Sequence, residues 1–160
     1  MFLEINDLKK SFGQGDSRVQ VLRGIDLSVD KGEICVLLGP SGSGKSTLLN
    51  IIGAIDAPDS GYVSINGEKM VDMTEKRLTR YRREHLGYVF QMYNLIPNLN
   101  IKENIEVGAY LSDHPLDIDD LLHTLGLYEH RHKLPNQLSG GQQQRTAIGR
   151  ALVKNPDILL

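Results

Sequence analysis

The sequence predicts an α/β domain, and three adjoining patterns support that prediction. Residues 34–38 form a continuous apolar run bounded by Gly32 and Gly39, which is typical of a strand covered on both faces. A loop rich in glycine and serine follows, and residues 45–52 then carry apolar side chains at helical spacing. A strand, a glycine loop and a helix in this order are the opening of an α/β domain.

The other elements of the first 90 residues follow from alternation and turn signals. Strands are predicted over residues 2–5, 19–29, 62–65 and 86–90, and a short charged helix over residues 74–82. Asn66 and Gly67 are a strong turn signal after the third of these strands. Thr74 is a suitable N-cap for the charged helix.

The pattern becomes helical over residues 100–134. Asn100, with Glu103 three residues later, predicts a capped helix N-terminus. A narrow apolar stripe follows, formed by Leu121, Leu122 and Leu125. We expect this stretch to be a helical insertion in the α/β core.

A second capping box begins the last helix. Ser139 and Gln142 have the required spacing, and Pro156 stops the helix. The inner face is predicted to consist of Ala147, Ile148, Ala151 and Leu152. Residues 158–160 then begin a predicted buried strand.

Composition restricts the classes of function. The 160 residues suit one domain, and 18 basic against 20 acidic residues give a net charge of -2. No strong field therefore attracts nucleic acid or an anionic bilayer. No apolar run approaches the roughly 18 residues that cross a membrane, so a membrane role would come from a partner. The single Cys35 lies in an apolar run and is expected to be a small core residue in a reducing compartment.

The glycine loop carries the strongest functional signal. The segment from Gly39 to Ser46, GPSGSGKS, matches the pattern G-x-x-x-x-G-K-[ST]. Glycines let backbone N–H groups approach phosphate oxygens, and the following helix adds the positive end of its dipole. Lys45 can reach the β- and γ-phosphates, and the Ser46 hydroxyl can bind Mg²⁺. The alternative, an accidental match in a glycine-rich turn, has a chance of roughly a percent or less given the usual glycine frequency.

A second glycine-flanked helix N-terminus occurs at Leu138-Ser139-Gly140-Gly141-Gln142. Ser139 and Gln142 alone would make a capping box, but two glycines inside it are unfavourable for a helix. The extra cost indicates that the backbone must approach a ligand closely.

With this LSGGQ segment the chain resembles the ABC ATPase family along its whole length. The resemblance implies a P-loop NTPase core with an N-terminal antiparallel β part. The core is expected in residues 1–91 and 139–160, and the helical insertion in residues 92–138. By the same resemblance, the C-terminal part of the domain, with its Walker B Asp and Glu and its switch histidine, is expected beyond Leu160. The 160 residues themselves are therefore expected to bind nucleotide and hydrolyse it negligibly.

The resemblance also implies site residues. Gln91 falls at the family's glutamine that contacts Mg²⁺ and the attacking water, so Lys45 and Gln91 are the candidate catalytic residues, and Ser46 and Gln91 the metal ligands. Phe12 falls at the position whose ring stacks on adenine; the alternative is an ordinary core aromatic at a strand end. The full set of implied ATP contacts is Phe12, Gly39, Pro40, Ser41, Gly42, Ser43, Gly44, Lys45, Ser46 and Thr47.

Partners are implied in the same way. Two ATPase subunits pair head to tail, so that Ser139, Gly140, Gly141 and Gln142 of one contact ATP held by the other. Residues 93–97, from Tyr93 to Pro97, are expected to contact a transmembrane permease at the inner face of the plasma membrane. This segment and residues 134–138 are similar to the branch of lipoprotein-releasing and macrolide-exporting ATPases.

Two other functions stay open at this point. The chain could be a non-hydrolysing nucleotide-binding or interaction module. It could also be a non-transport ABC ATPase, such as a cell-division or repair factor. The basic cluster around Arg80 and Arg83 has acidic neighbours and is more typical of a solvated helix face than of a nucleic-acid site.

Overall fold

A four-stranded antiparallel sheet forms the beginning of the chain in the computed structural model, which describes residues 1–160. Its strands are β1 (Leu3–Phe12), β2 (Val19–Val29), β3 (Ser60–Ile65) and β4 (Glu68–Lys69), in the spatial order β2-β1-β3-β4. Asn66 and Gly67, with φ of 51° and 81°, form the two-residue turn between β3 and β4, because both positions of such a turn require positive φ. The predicted antiparallel N-terminal part is confirmed.

Helix α1 (Lys45–Ile52) follows the glycine loop at the predicted position. Its buried side chains are Leu48, Ile51 and Ile52. A 3-10 turn (Met70–Asp72) and helix α2 (Glu75–Glu84) come after the sheet. The Thr74 hydroxyl accepts a 3.4 Å hydrogen bond from the N–H of Arg77, which confirms Thr74 as a capping residue.

Helices dominate the second half of the chain. They are α3 (Ile101–Ala109), α4 (Ile118–Thr124) and α5 (Gly140–Leu152), with short 3-10 turns at Tyr128–His130 and Pro135–Gln137. Their shared core consists of Ile101, Ile105, Leu121, Leu122, Leu127 and Val153. Strands β5 (Leu86–Gly87) and β6 (Ile158–Leu159) pair in parallel.

Both predicted capping boxes are present. At α3, the Asn100 side chain accepts from the N–H of Glu103, and the Glu103 carboxylate accepts from the N–H of Asn100, each at 2.8 Å. At α5, Ser139 and Gln142 make the reciprocal pair at 3.2 and 3.0 Å. Each box satisfies N–H groups at the end of its helix or just before it.

The prediction of a buried strand at residues 34–38 is wrong for this structure. The segment belongs to neither sheet, and Ile34 and Leu38 are 94% and 88% exposed. Cys35 is exposed as well, so it is not the small core residue that the sequence predicted. An apolar run is buried only where neighbouring strands and helices cover it, and none of the described strands pairs with this one.

Smaller corrections concern the last helix and strands. In α5, Ala147 and Ala151 are buried as predicted, but Ile148 and Leu152 keep part of their surface in solvent. The predicted strand over residues 86–90 is limited to Leu86–Gly87, and the side chain of Leu159 in β6 is exposed. A pair of two-residue strands has too few neighbours to bury both faces.

The chain divides into two compact units, residues Met1–Leu78 and Thr79–Leu160. The first contains the antiparallel sheet, the glycine loop and α1. The second contains α3, α4 and α5 with the β5–β6 pair. None of the helices is both long and apolar enough to cross a membrane.

Candidate functional site

The glycine loop ends in a helix N-terminus whose N–H groups point away from the helix body. Gly44 is the N-cap of α1, in the left-handed region with φ of 95°. The first hydrogen bond within α1 runs from the N–H of Leu48 to the carbonyl of Gly44, at 2.9 Å. The N–H groups of Lys45, Ser46 and Thr47 therefore have no acceptor inside the helix. Such a terminus favours an anion.

Glycine is required at Gly44 by packing as well as by backbone conformation. A Cβ placed there would lie 3.0 Å from side-chain atoms of both Val21 and Leu22 on β2. A Cβ on Gly39 would lie 2.7 Å from the Ser43 hydroxyl. The loop is thus folded closely against β2 and against itself.

Lys45 closes this loop. Its ammonium donates to the carbonyls of Gly39 and Pro40, each at 2.7 Å, and to the Ser43 hydroxyl at 3.3 Å. The positive charge is therefore held against residues 39–43 of the same loop.

The donor set fits ATP with Mg²⁺. Residues 39–47 contain an ammonium, hydroxyls and backbone N–H groups, and no carboxylate that would repel phosphate. The Ser46 hydroxyl is an oxygen ligand of the kind that Mg²⁺ prefers.

Phe12 is the last residue of β1 and is 45% exposed. The alternative of a core aromatic is therefore wrong. The Lys10 ammonium lies 5.2 Å from the centre of the ring, in a cation–π contact. An exposed aromatic ring can stack on a planar base.

The second glycine segment is exposed at the start of α5. A Cβ on Gly140 would lie 3.6 Å from its nearest neighbour, the Tyr93 hydroxyl, and one on Gly141 would lie 4.0 Å from the Ser139 hydroxyl oxygen. Neither glycine has positive φ. Packing inside the chain thus leaves room for alanine, although glycine in a helix costs roughly 0.5–1 kcal/mol. Packing inside the chain therefore does not require glycine at either position.

Gln91 is exposed in the turn after β5. It lies in the second compact unit and Ser46 in the first, and their joint role at Mg²⁺ stays a prediction.

The structure does bring Tyr93 and Gly140 together in the second unit. Of the 93–97 segment, Ile96 is exposed and Leu95 is partly buried.

Sequence reasoning missed two residues that hold this segment in place. Asn104 is fully buried; its amide donates to the carbonyls of Ile96 and Leu99, and its side-chain oxygen accepts from the N–H of Ile96. Arg150 donates to the carbonyls of Tyr93 and Asn94. The one available signal was a polar Asn104 on the same helix face as Ile101 and Ile105.

Comparisons with known proteins agree with this geometry. The sequence profile described as "ABC transporter" matches residues 22–160. The MG065 homolog of Mycoplasma pneumoniae is 49% identical over 157 residues, covering 96% of this chain and 34% of that protein. The lipoprotein-releasing system ATP-binding protein LolD of Bacteroides fragilis is 39% identical, covering 99% of this chain and 74% of LolD. The chain thus spans about a third of the first relative and three quarters of the second.

A solved structure supports the fold. It is described as a dimeric post-hydrolysis state of the ATP-binding cassette MJ0796 bound to ADP and Pi. It has a TM-score of 0.87 and 38% identity, covering 98% of this chain and 72% of the other. The predicted fold class and the predicted likeness to lipoprotein-releasing ATPases are both confirmed. The chain therefore belongs to the ABC transporter family.

Proposed function

We propose that this chain is the ATP-binding part of an ABC transporter and couples ATP binding and hydrolysis to transport through a separate membrane-spanning partner. The observation that carries the proposal is the glycine loop closed on Lys45 at the free N-terminus of α1. In this role the loop N–H groups and Lys45 hold the phosphates, and Phe12 stacks on the base. Ser46 would hold Mg²⁺, which would neutralise charge on the phosphates. Gln91 is proposed, from the family resemblance alone, as a further ligand and as the residue that would orient the attacking water.

The second glycine segment acts on ATP held by another copy of the ATPase subunit. Ser139 and the exposed backbone at Gly140 and Gly141 present a second helix N-terminus to the γ-phosphate. Two positive helix ends around one anion would join two subunits while ATP is intact and release them after hydrolysis. A Cβ would fit at both glycines, so packing inside the chain does not explain why glycine occurs there. Close approach of a partner would explain it, and this supports the role.

The permease is proposed to dock on residues 93–97, next to the start of α5. Ile96 within this segment and Met92 just before it expose apolar side chains that a partner helix could bury. The chain would then work in the cytoplasm, on the inner face of the plasma membrane.

Head-to-tail pairing can be tested by mixing two inactive variants of the full-length protein. Lys45→Ala removes the ammonium of the loop, and Ser139→Ala removes the hydroxyl of the second segment. In a mixed dimer one composite site has both residues intact and the other has neither. We expect each variant alone to release little phosphate and the mixture to recover part of the wild-type rate. A mixture as inactive as its components, with both variants folded and the wild type active, would contradict the pairing.

A second test uses residues 1–160 alone. The two acidic residues that the family places after the strand beginning at Ile158 are not among them. Loss of a general base typically slows a reaction about 10²–10⁴-fold. We therefore expect this polypeptide to bind Mg-ATP but to release phosphate at a negligible rate in a colorimetric assay. Normal turnover by the purified polypeptide would refute this expectation.

A further inference from the structure

A strained corner of the chain lies between β5 and α3. Tyr93 and Asn94 are consecutive residues with φ of 61° and 51°. Left-handed backbone is unfavourable for residues other than glycine, and it occurs mostly as single residues. Two in a row persist only where the surroundings hold them.

Arg150 of α5 holds this corner. One of its Nη atoms donates to the carbonyl of Asn94 at 2.7 Å, and the other donates to the carbonyl of Tyr93 at 2.8 Å. A guanidinium presents its donors in a rigid planar fork, so Arg150 fixes the direction as well as the distance of these two adjacent carbonyls. Partial burial lowers the pKa of Arg150, yet an arginine stays charged at any physiological pH.

The same corner also contacts the other end of α5. A Cβ placed on Gly140 would have the Tyr93 hydroxyl as its nearest side-chain neighbour, at 3.6 Å. Tyr93 thus contacts α5 near its last turn through its carbonyl and at its first turn through its side chain. The Tyr93 side chain is therefore positioned between the corner and the start of α5.

The segment from Tyr93 to Leu99 is anchored differently at its two ends. Asn104 of α3 holds Ile96 and Leu99 by side-chain hydrogen bonds. At the corner, the N–H groups of Tyr93 and Asn94 donate to the carbonyls of Phe90 and Met92, and Arg150 adds the side-chain hydrogen bonds. The carbonyl of Arg150 itself is packed against Gly108 of α3, where a Cβ would come within 2.2 Å. Close packing therefore fixes the backbone from which the Arg150 side chain extends.

We propose that Arg150 is a positioning residue that links the docking loop, residues 93–97, to the Ser139–Gly141 segment by holding the Tyr93–Asn94 corner against α5. The inference rests on the proposed function of these two regions. A permease that docks on the loop would bias the corner between its held and relaxed conformations. The Tyr93 hydroxyl carries that difference to Gly140, which faces the nucleotide of the paired subunit.

The first experiment measures the link itself in the full-length protein, by the NMR shifts of the Gly140 and Gly141 amides. Arg150→Met removes the fork, and we expect both amides to shift. Asn94→Gly added to Arg150→Met is expected to return the shifts toward the wild type, because glycine adopts left-handed backbone without help. Unchanged Gly140 and Gly141 amides in Arg150→Met would overturn the proposal.

Lys154→Met is the matched control. The Lys154 ammonium also donates to two carbonyls, those of Arg82 and Leu86, and it is also partly buried. Its removal is expected to leave the Gly140 amide in place. Tyr93→Phe is the mild variant that keeps the fold; removing only its hydroxyl should shift the Gly140 amide. Equal Gly140 shifts in Lys154→Met and Arg150→Met would mean a general packing effect and would contradict the proposal.

The second experiment separates nucleotide binding from pairing. We expect Arg150→Met to keep the wild-type affinity for Mg-ATP in the monomer but to weaken Mg-ATP-dependent dimerisation about tenfold, a common size for coupled sites. Sedimentation measures the dimerisation, and restoration by Asn94→Gly excludes simple unfolding. Normal dimerisation of Arg150→Met would overturn the inference. A wild type that binds no Mg-ATP would instead refute the proposed function. The Gly140 and Gly141 amide shifts would still show whether Arg150 links the corner to the start of α5.

Discussion

Gly42 and Gly44 differ in what surrounds them, although both have left-handed backbone in the glycine loop. At Gly42, with φ of 80°, a Cβ would meet nothing within 4 Å. At Gly44 it would meet Val21 and Leu22 at 3.0 Å. Alanine at Gly42 therefore adds only backbone strain, whereas alanine at Gly44 adds strain and overpacking against β2.

We predict that Gly44→Ala lowers the free energy of unfolding by about 1–3 kcal/mol more than Gly42→Ala does, the usual cost of overpacking. Urea denaturation of both variants measures the difference. Equal losses of stability would show that the loop is not packed against β2 as described.

Single residues were predictable where their role has a local sequence pattern. Lys45, Ser46, Asn100 and Ser139 were identified from fixed spacings to their neighbours. Arg150 was not, because its partners lie 56 and 57 residues away in sequence. A side chain that bonds to loop carbonyls imposes no residue type on its partners, so the sequence carries no trace of the contact.

At the scale of elements, α3 and α5 cross at unusually close range. A Cβ on Gly108 would lie 2.2 Å from the carbonyl oxygen of Arg150 and 2.8 Å from Val153. A Cβ on Gly149 would lie 2.9 Å from side-chain atoms of Ile105 and Leu125. The crossing depends on these two glycines, and it fixes the helix that carries both Ser139 and Arg150.

We predict that Gly108→Ala destabilises the protein by about 1–3 kcal/mol or more, despite the higher helix propensity of alanine. Gly141→Ala is the control for helix propensity, because a Cβ at that position has room. It should leave the free energy of unfolding unchanged or raise it by up to about 1 kcal/mol. Thermal unfolding followed by circular dichroism compares the two. A Gly108→Ala variant as stable as Gly141→Ala would contradict the close crossing.

Elements with local signals matched the sequence prediction well. Helix α1 and strand β2 have the predicted bounds, and both capping boxes formed. The run at residues 34–38 failed because a strand needs partners that are distant in sequence. The close α3–α5 crossing was also unpredictable, since Gly108 and Gly149 show no local reason for glycine.

At the scale of the whole molecule, the docking loop and both ends of α5 are connected by contacts inside the second unit. The docking loop contacts α5 through Arg150 and Tyr93, and α5 begins with the segment proposed to face a partner's ATP. The first unit contributes the loop around Lys45. Any coupling between the docking loop and α5 therefore depends on ATP bound at the glycine loop.

The central claim is tested most directly by calorimetric titration of Mg-ATP into the full-length protein. We predict binding by the wild type and a loss of about 10- to 100-fold in Lys45→Ala, since a hydrogen bond to a charged group contributes about 1.5–3 kcal/mol. Lys31→Ala, an exposed lysine in the turn before the loop, should bind like the wild type. No binding by the folded wild type, or equal affinity in Lys45→Ala, would contradict the account.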